Sequence, residues 1–202
     1  GAPTSKRTTT SAPCSGGRWN WFMGSPVGEQ LRLVESPICG VYRMDMDVAN
    51  ALLMVWGHRL GPCHRPFGQE AYSLEVLGSP VAVAISASIV HGPVAGYQRD
   101  EVVELARLGA AVPWANRVML RLWRETCAQR WRYWPVAAAV SYSHNAMHRG
   151  DLYRFDGWEK VTDNCGSTGG GTWSRPRRLG DAALGKKTLW LFRYEVARGH
   201  AR

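Results

Sequence analysis

The sequence has little lysine, few cysteines and no long apolar run. Its five cysteines stand at 14, 39, 63, 127 and 165, an odd number with no C-x-x-C pair. That spacing suits neither a disulfide framework nor a zinc site, and a reducing, cytoplasmic setting is the expectation. Cys63 and His64 adjoin, but two neighbours do not make a ligand set. The longest apolar stretch, residues 81–90, is too short to cross a bilayer and carries serines, so no membrane span is expected. No apolar segment follows the first basic residues, so no secretory signal is expected. Walker motifs, dinucleotide-binding motifs and internal repeats are missing as well.

What the chain does have is arginine and tryptophan. Its 202 residues carry 25 Lys+Arg against 16 Asp+Glu, a net charge of +9, and 21 of the 25 are Arg. Ten Trp is several times ordinary usage. A GC-rich genome would account for the Arg:Lys ratio, but not for the net charge. Such a balance suits an anionic partner: nucleic acid, a nucleotide or coenzyme A. At 45% hydrophobic and 20% charged, the composition is that of a globular chain with a real core. Residues 1–28 begin rich in Ser, Thr, Gly and Pro, with Lys6, Arg7 and Arg18, and are expected to be a disordered basic arm. Residues 29–202 are expected to form one domain.

From residue 30 the pattern is mixed. Residues 31–35 read as a strand. Asp45 precedes a run of helix formers over 48–56 and is a natural N-cap. Residues 67–77 and 81–90 read as a long hairpin turning on Gly78-Ser79-Pro80. A strand over 101–108 follows, with Val102, Glu104 and Ala106 on one face and Val103, Leu105 and Arg107 on the other. After the turn Gly109-Ala110-Ala111-Val112-Pro113, residues 114–134 read as one long helix ended by Pro135, with Arg117, Arg121 and Arg124 on one face. A buried strand (136–142), a short helix (148–155), a strand after Gly157, a Gly/Ser/Arg-rich loop (163–185) and a last strand (187–194) complete the order. The fold class is α/β of the α+β kind, a mixed sheet flanked by helices.

Three stretches carry chemistry. The turn before the long helix offers backbone N–H groups and a helix N-terminus to an anion, and Arg117 in that first turn is at odds with the dipole unless an anion is bound. An ordinary βα loop remains the alternative. Residues 141–158 gather hydroxyls, His144, His148, Tyr142 and Tyr153 just after a buried strand, where sites are commonly built. Either histidine could relay a proton near neutral pH, and Tyr153 could protonate a departing thiolate; satisfied loop histidines are the alternative. Finally, Gly169-Gly170-Gly171-Thr172-Trp173-Ser174-Arg175-Pro176-Arg177-Arg178 pairs a stacking face with phosphate-seeking arginines, or is a solvated surface loop.

Over residues 104–158 the chain resembles the GNAT acyltransferases in layout: a long hairpin, a strand bearing Glu104-Leu105-Ala106-Arg107-Leu108, a turn, a long helix, a strand and a short Tyr-bearing helix. Within them it resembles the phage Mom DNA-modification proteins and their bacterial relatives. Ser141-Tyr142-Ser143, His148-Arg149-Gly150-Asp151-Leu152-Tyr153, Gly157-Trp158, the loop from Gly169 to Trp173 with its arginines, and Lys187-Thr188-Leu189-Trp190 carry that likeness. It spans roughly residues 45 to 194. The resemblance implies a mostly antiparallel sheet, splayed at its middle, holding acetyl-CoA or a related acyl-CoA. Leu108, Gly109, Ala110, Trp114, Ala115, Asn116 and Arg117 would bind it. Tyr153 would be the general acid, with Ser141, Tyr142, Arg107 and Asp151 around the reacting centre. Arg121, Arg124, Trp173, Arg175, Arg177 and Arg178 would hold nucleic acid. The Mom relatives further suggest iron, with His58 as a candidate ligand. The turn before the long helix is poorer in Gly than is usual in the family.

Three functions follow. The first is a transferase modifying a base in DNA, which needs flipping or an unpaired substrate. The second is an acetyl-CoA-dependent N-acetyltransferase of a small amine or a protein. The third is a non-catalytic nucleic-acid-binding protein on the same fold.

Overall fold

Asp45 acts as the sequence suggests: its carboxylate accepts the Asp47 N–H at 2.8 Å and opens helix α1 (Met46–Val55). The computed structural model describes residues 39–90, 92–166 and 185–194. The 31–35 strand, the arm over 1–28 and the loop bearing Trp173, Arg175, Arg177 and Arg178 lie outside these. Seven strands form one sheet: β1 (Cys39–Met44), β2 (Gln69–Val76), β3 (Ser79–Ala87), β4 (Val102–Ala110), β5 (Ala138–His144), β6 (Glu159–Cys165) and β7 (Lys187–Arg193). The order is β1-β2-β3-β4-β5-β7-β6, and every neighbouring pair is antiparallel except β4 and β5. A parallel pair needs a crossover, which α2 (Pro113–Leu122) supplies. A short helix, α3 (Asp151–Phe155), lies between β5 and β6.

Three boundaries differ from the sequence reading. The β2–β3 turn is Leu77-Gly78, both with positive φ (51° and 77°), so Ser79 and Pro80 already belong to β3. This is the pairing that matches strand twist in a two-residue hairpin. The long helix is not uniform. After α2 the chain widens into a π turn over Trp123–Cys127 and tightens into a 3-10 turn over Ala128–Arg130. It therefore stops well short of Pro135. There Trp131 packs edge-on to Trp134 at 5.5 Å, and the Trp134 indole donates to the Val102 carbonyl at 2.9 Å.

α1 sets Ala49 and Leu53, one turn apart, against Ala71, Val83 and Ile85 on one face of the sheet. Burying such a leucine contributes about 2 kcal/mol. On the other face Met119, Leu120 and Trp123 join Val103, Leu105, Trp158 and Trp190 in the largest cluster. Trp123, Trp131, Trp158 and Trp190 are all buried, so the high tryptophan content serves the core first.

β4 contains a bulge. Leu105 stands opposite Ser86 and Arg107 opposite Ile85, leaving Ala106 as one extra residue. An extra residue bends a strand and sharpens its twist. It also switches the alternation. Val103 and Leu105 face the α2 side, but so do Leu108 and Ala110. Arg107 therefore shares the α1 side with Glu104 and Ala106, where the sequence pattern had set it on the opposite face.

Candidate active site

The bent β4 leaves β5. Their pairing runs from Val102–Ala138 to Leu105–Ser141 and stops, although β4 continues to Ala110 and β5 to His144. The Ala111 N–H bonds to the Val81 carbonyl at 2.9 Å, making 81 and 111 a hydrogen-bonded pair. By antiparallel alternation, Leu108 and Ala110 turn their N–H and C=O groups away from β3, into the split. A cleft of about 750 Å³ opens there. Leu105, Leu108, Gly109 and Ala110 line one wall, and Tyr142, Ser143 and His144 the other. Asn116, Leu152 and Tyr153 close it on the side of α2 and α3, while Trp56, His58, Arg59 and Leu60 close it on the side of α1.

At the apex, Ser141 Oγ donates to the Leu105 carbonyl at 3.1 Å and lies 2.9 Å from the Tyr153 hydroxyl. With the serine proton spent on Leu105, the phenol donates to Ser141. Tyr153 is buried, stacked on Trp190 (5.4 Å, 11°) and edge-on to Trp158. Burial pushes its phenol up. It is a protonated, immobilised donor at the point where the strands part. The Trp190 indole donates to Ser143 Oγ at 2.8 Å, and α3 approaches Trp190 so closely that only Gly150 fits at its start.

Tyr142 points to the α1 side, pushed up to about 12 by burial and by the Glu104 charge. Glu104 is buried and takes a hydrogen bond from Arg65 at 2.8 Å; burial raises its carboxyl against the pull of Arg65 and Arg107. Lys187, opposite His144 on β7, also lines the cleft, its ammonium lowered by burial and then by Arg107. The sequence reading missed Lys187. It opens a strand, and only the register to His144 shows where it points.

Arg107 was expected at the reacting centre. Its guanidinium instead donates to the carbonyls of Gly61 (3.0 Å), Pro62 (3.1 Å) and Ala106 (2.7 Å). It borders the cleft and pins the 57–62 loop to β4. Asp151 does reach the cleft, exposed, with Arg154 3.9 Å away. The α2 N-terminus has no side-chain cap: Val112 is the N-cap, Pro113 follows, and no acidic residue lies in the first turn. Ala115 is buried, Trp114 is exposed, Asn116 lines the cleft, and Arg117 sits over the Phe155 ring at 5.8 Å.

The arginine face on the long helix is not a single surface. Arg124 turns inward: Nε and Nη2 grip both oxygens of Asp156 at 2.8 and 3.2 Å, and the guanidinium lies 4.3 Å from the Phe192 ring centre. Arg121 pairs with Glu125 at 3.0 Å. Arg124, expected to contact nucleic acid, is thus engaged within the fold by Asp156. Iron finds no support either: among the described residues no group of three His, Cys, Asp or Glu could hold a metal, His58 included. The four described cysteines are free. No helix among the described residues is long and apolar enough to cross a membrane.

No family model and no curated protein sequence matches the chain. Solved structures do. The chain is similar to the ribosomal-protein-S18-alanine N-acetyltransferase of Escherichia coli, with TM-score 0.53 and 11% identity over 81% of this chain and 99% of that one. It is similar to the ribosomal-protein-alanine N-acetyltransferase of Brucella melitensis, with TM-score 0.50 and 13% identity over 76% and 99%. At such identities the likeness is one of fold, and the fold is that of the GNAT acetyltransferases.

Proposed function

We propose that the protein is an acyl-CoA-dependent N-acyltransferase acting on an amine. The observation that supports this best is the split itself, with freed Leu108 and Ala110 backbone groups on one edge and the buried Tyr153–Ser141 pair at its apex. An extended, amide-bearing chain such as pantetheine would add to that edge as a strand does. The uncapped α2 N-terminus just beyond Ala110 suits its pyrophosphate. Bound acetyl-CoA supplies an activated thioester. Tyr153 holds the proton that the leaving sulfur needs, and Ser141 orients it. Trp190, Trp158 and Leu152 keep that end of the cleft dry. The acceptor would enter from the α1 side. Calorimetry with acetyl-CoA tests the reading, followed by mass measurement of acetyl transfer to amines and to an alanine-ended peptide. Absence of acetyl-CoA binding would refute it.

A second reading, modification of a base in DNA by a Mom-like enzyme, draws on the charge of the cleft. Arg59, Arg107, Arg149 and Lys187 border it, against Asp151 as its one acid among the described residues. A phosphate-bearing acceptor suits those walls better than a cationic amine. Modified nucleosides in DNA from cells expressing the protein would favour this reading. Salt-sensitive DNA binding that survives Tyr153→Phe, with no product, would point to a non-catalytic binding protein. We propose a cytoplasmic location, where acetyl-CoA and both kinds of acceptor are at hand.

A further inference from the structure

We propose that the acceptor amine is carried on an anionic molecule, whose carboxylate or phosphate group pairs with Lys187 in the cleft. This rests on the acyl-transfer reading and names its substrate class.

Lys187 is fixed by the sheet rather than by a loop. It opens β7, opposite His144 on β5 and Cys165 on β6. The Asn145 N–H bonds to the Lys186 carbonyl at 3.0 Å, which holds the chain just before it. Side chains alternate along a strand, so Lys187 shares its face with Leu189 and Leu191, while Thr188 and Trp190 share the other. Leu189 and Leu191 pack with Val140 and Tyr142, whereas Trp190 belongs with Tyr153 and α2. Lys187 therefore stands on the α1 side of the split, with Tyr142 and Arg107, across the sheet from Tyr153. Gly166 leaves room for its stem, since a Cβ there would lie 3.4 Å from Lys187 Cγ. Partly exposed, Lys187 lines the cleft.

Its charge is not spent inside the fold. Glu104 is the buried acid of that face, and Arg65 takes it at 2.8 Å. Arg107 gives its N–H groups to three carbonyls, which leaves its charge without a carboxylate. Arg59 and Arg149 are exposed at the cleft. Among the described residues none of Lys187, Arg59, Arg107 and Arg149 forms an ion pair. Asp151, the one acid among the described residues that line the cleft, has Arg154 beside it at 3.9 Å. Like charges gathered partly out of water are unfavourable until an anion joins them. The Lys187 ammonium is lowered accordingly, by burial first and then by Arg107.

An acceptor with both groups fits this layout. Its anion meets Lys187 on the α1 side, the side from which the acceptor enters, and its amine reaches toward the apex. The phosphates of coenzyme A belong with α2 on the other face, so they do not satisfy Lys187. An amine without an anionic group would meet only repulsion from these walls.

The test uses the full chain, after calorimetry has established acetyl-CoA binding, and three amines of similar length: propylamine, β-alanine and 2-aminoethyl phosphate. Release of the coenzyme A thiol follows transfer to each. β-Alanine or 2-aminoethyl phosphate should exceed propylamine in kcat/KM on the order of 10-fold. Whichever leads identifies the group as carboxylate or phosphate. Lys187→Met keeps the apolar stem; it should raise KM for the leading amine on the order of 10-fold, more than it lowers kcat, with acetyl-CoA affinity in place. Lys187→Arg should restore most of that loss. Equal kcat/KM for the three amines, or transfer to none of them while acetyl-CoA binds, overturns the proposal alone, and both are read in the unaltered protein. A Lys187→Met loss that falls on acetyl-CoA affinity overturns it as well. Failure of acetyl-CoA to bind overturns the acyl-transfer reading and this proposal with it.

Discussion

Gly150→Ala should be among the most damaging one-methyl changes in the molecule, and Gly157→Ala shows why. Both glycines have φ near +80° (77° and 80°), so an alanine at either meets the same left-handed penalty, about 1 kcal/mol. Around Gly157 a Cβ meets nothing within 4 Å. At Gly150 it would lie 2.1 Å from Trp190 Cζ2, 2.9 Å from Cη2 and 3.0 Å from Cε2. Trp190 has no room to yield. It is 1% exposed, bonded through its indole N–H to Ser143, and stacked on Tyr153. Overpacking of this kind adds about 1–3 kcal/mol. The expected loss is therefore about 2–4 kcal/mol for Gly150→Ala and about 1 for Gly157→Ala. For a domain of this size that means a Tm drop of roughly 5–15 °C against 2–4 °C. Urea unfolding followed by tryptophan fluorescence measures both. Equal losses for the two variants would refute the reasoning, because the contact with Trp190 would then contribute nothing beyond φ.

Tyr153→Phe should leave acetyl-CoA affinity in place, lower acyl transfer on the order of 100-fold and cost about 1 kcal/mol for the Ser141 bond; unchanged transfer would remove the phenol from the chemistry. Arg124→Met should destabilise the fold by about 3 kcal/mol, since it strands the buried Asp156 carboxylate, without weakening any DNA binding; urea unfolding and a DNA titration read the two parts. His58, about 4 when folded against 6.5 unfolded, is protonated first in the unfolded chain as pH falls. Its contribution is therefore complete above about 6.5 and lost on the way down through about 4, amounting to about 1–2 kcal/mol after screening for its partial exposure. Urea unfolding at pH 7 and pH 4.5 should show that slope in the wild type and a shallower one in His58→Gln.

Particular residues show where sequence stops informing structure. The helix after Asp45 was legible because the cap and the apolar spacing are both local. So was the Ser141–Tyr153 cluster, since it follows a buried strand. β1 was not, because Cys39–Met44 is an edge strand without clean alternation between buried and exposed sites. Arg117, Arg121 and Arg124 look alike at helical spacing, yet Arg124 differs through Asp156, 32 residues further along the chain. Inspection of the helix alone could not reveal that partner.

The bulge accounts for much of the rest. Nothing in Glu104-Leu105-Ala106-Arg107-Leu108 marks Ala106 as supernumerary, since it has neither the glycine nor the proline that usually flags an irregular strand. Yet this one residue has three consequences. It ends the β4–β5 pairing at Leu105 and Ser141, which places the Leu105 carbonyl, Ser141 and Tyr153 together at an apex. It turns the Leu108 backbone groups away from β3, into the split. And it turns Arg107 to the α1 side, where its guanidinium holds the loop that carries His58. A strictly alternating β4 would send Arg107 to the α2 face and leave that loop without its clamp. The cleft and its proton donor therefore share a single structural cause, and it lies in the backbone register rather than in any motif.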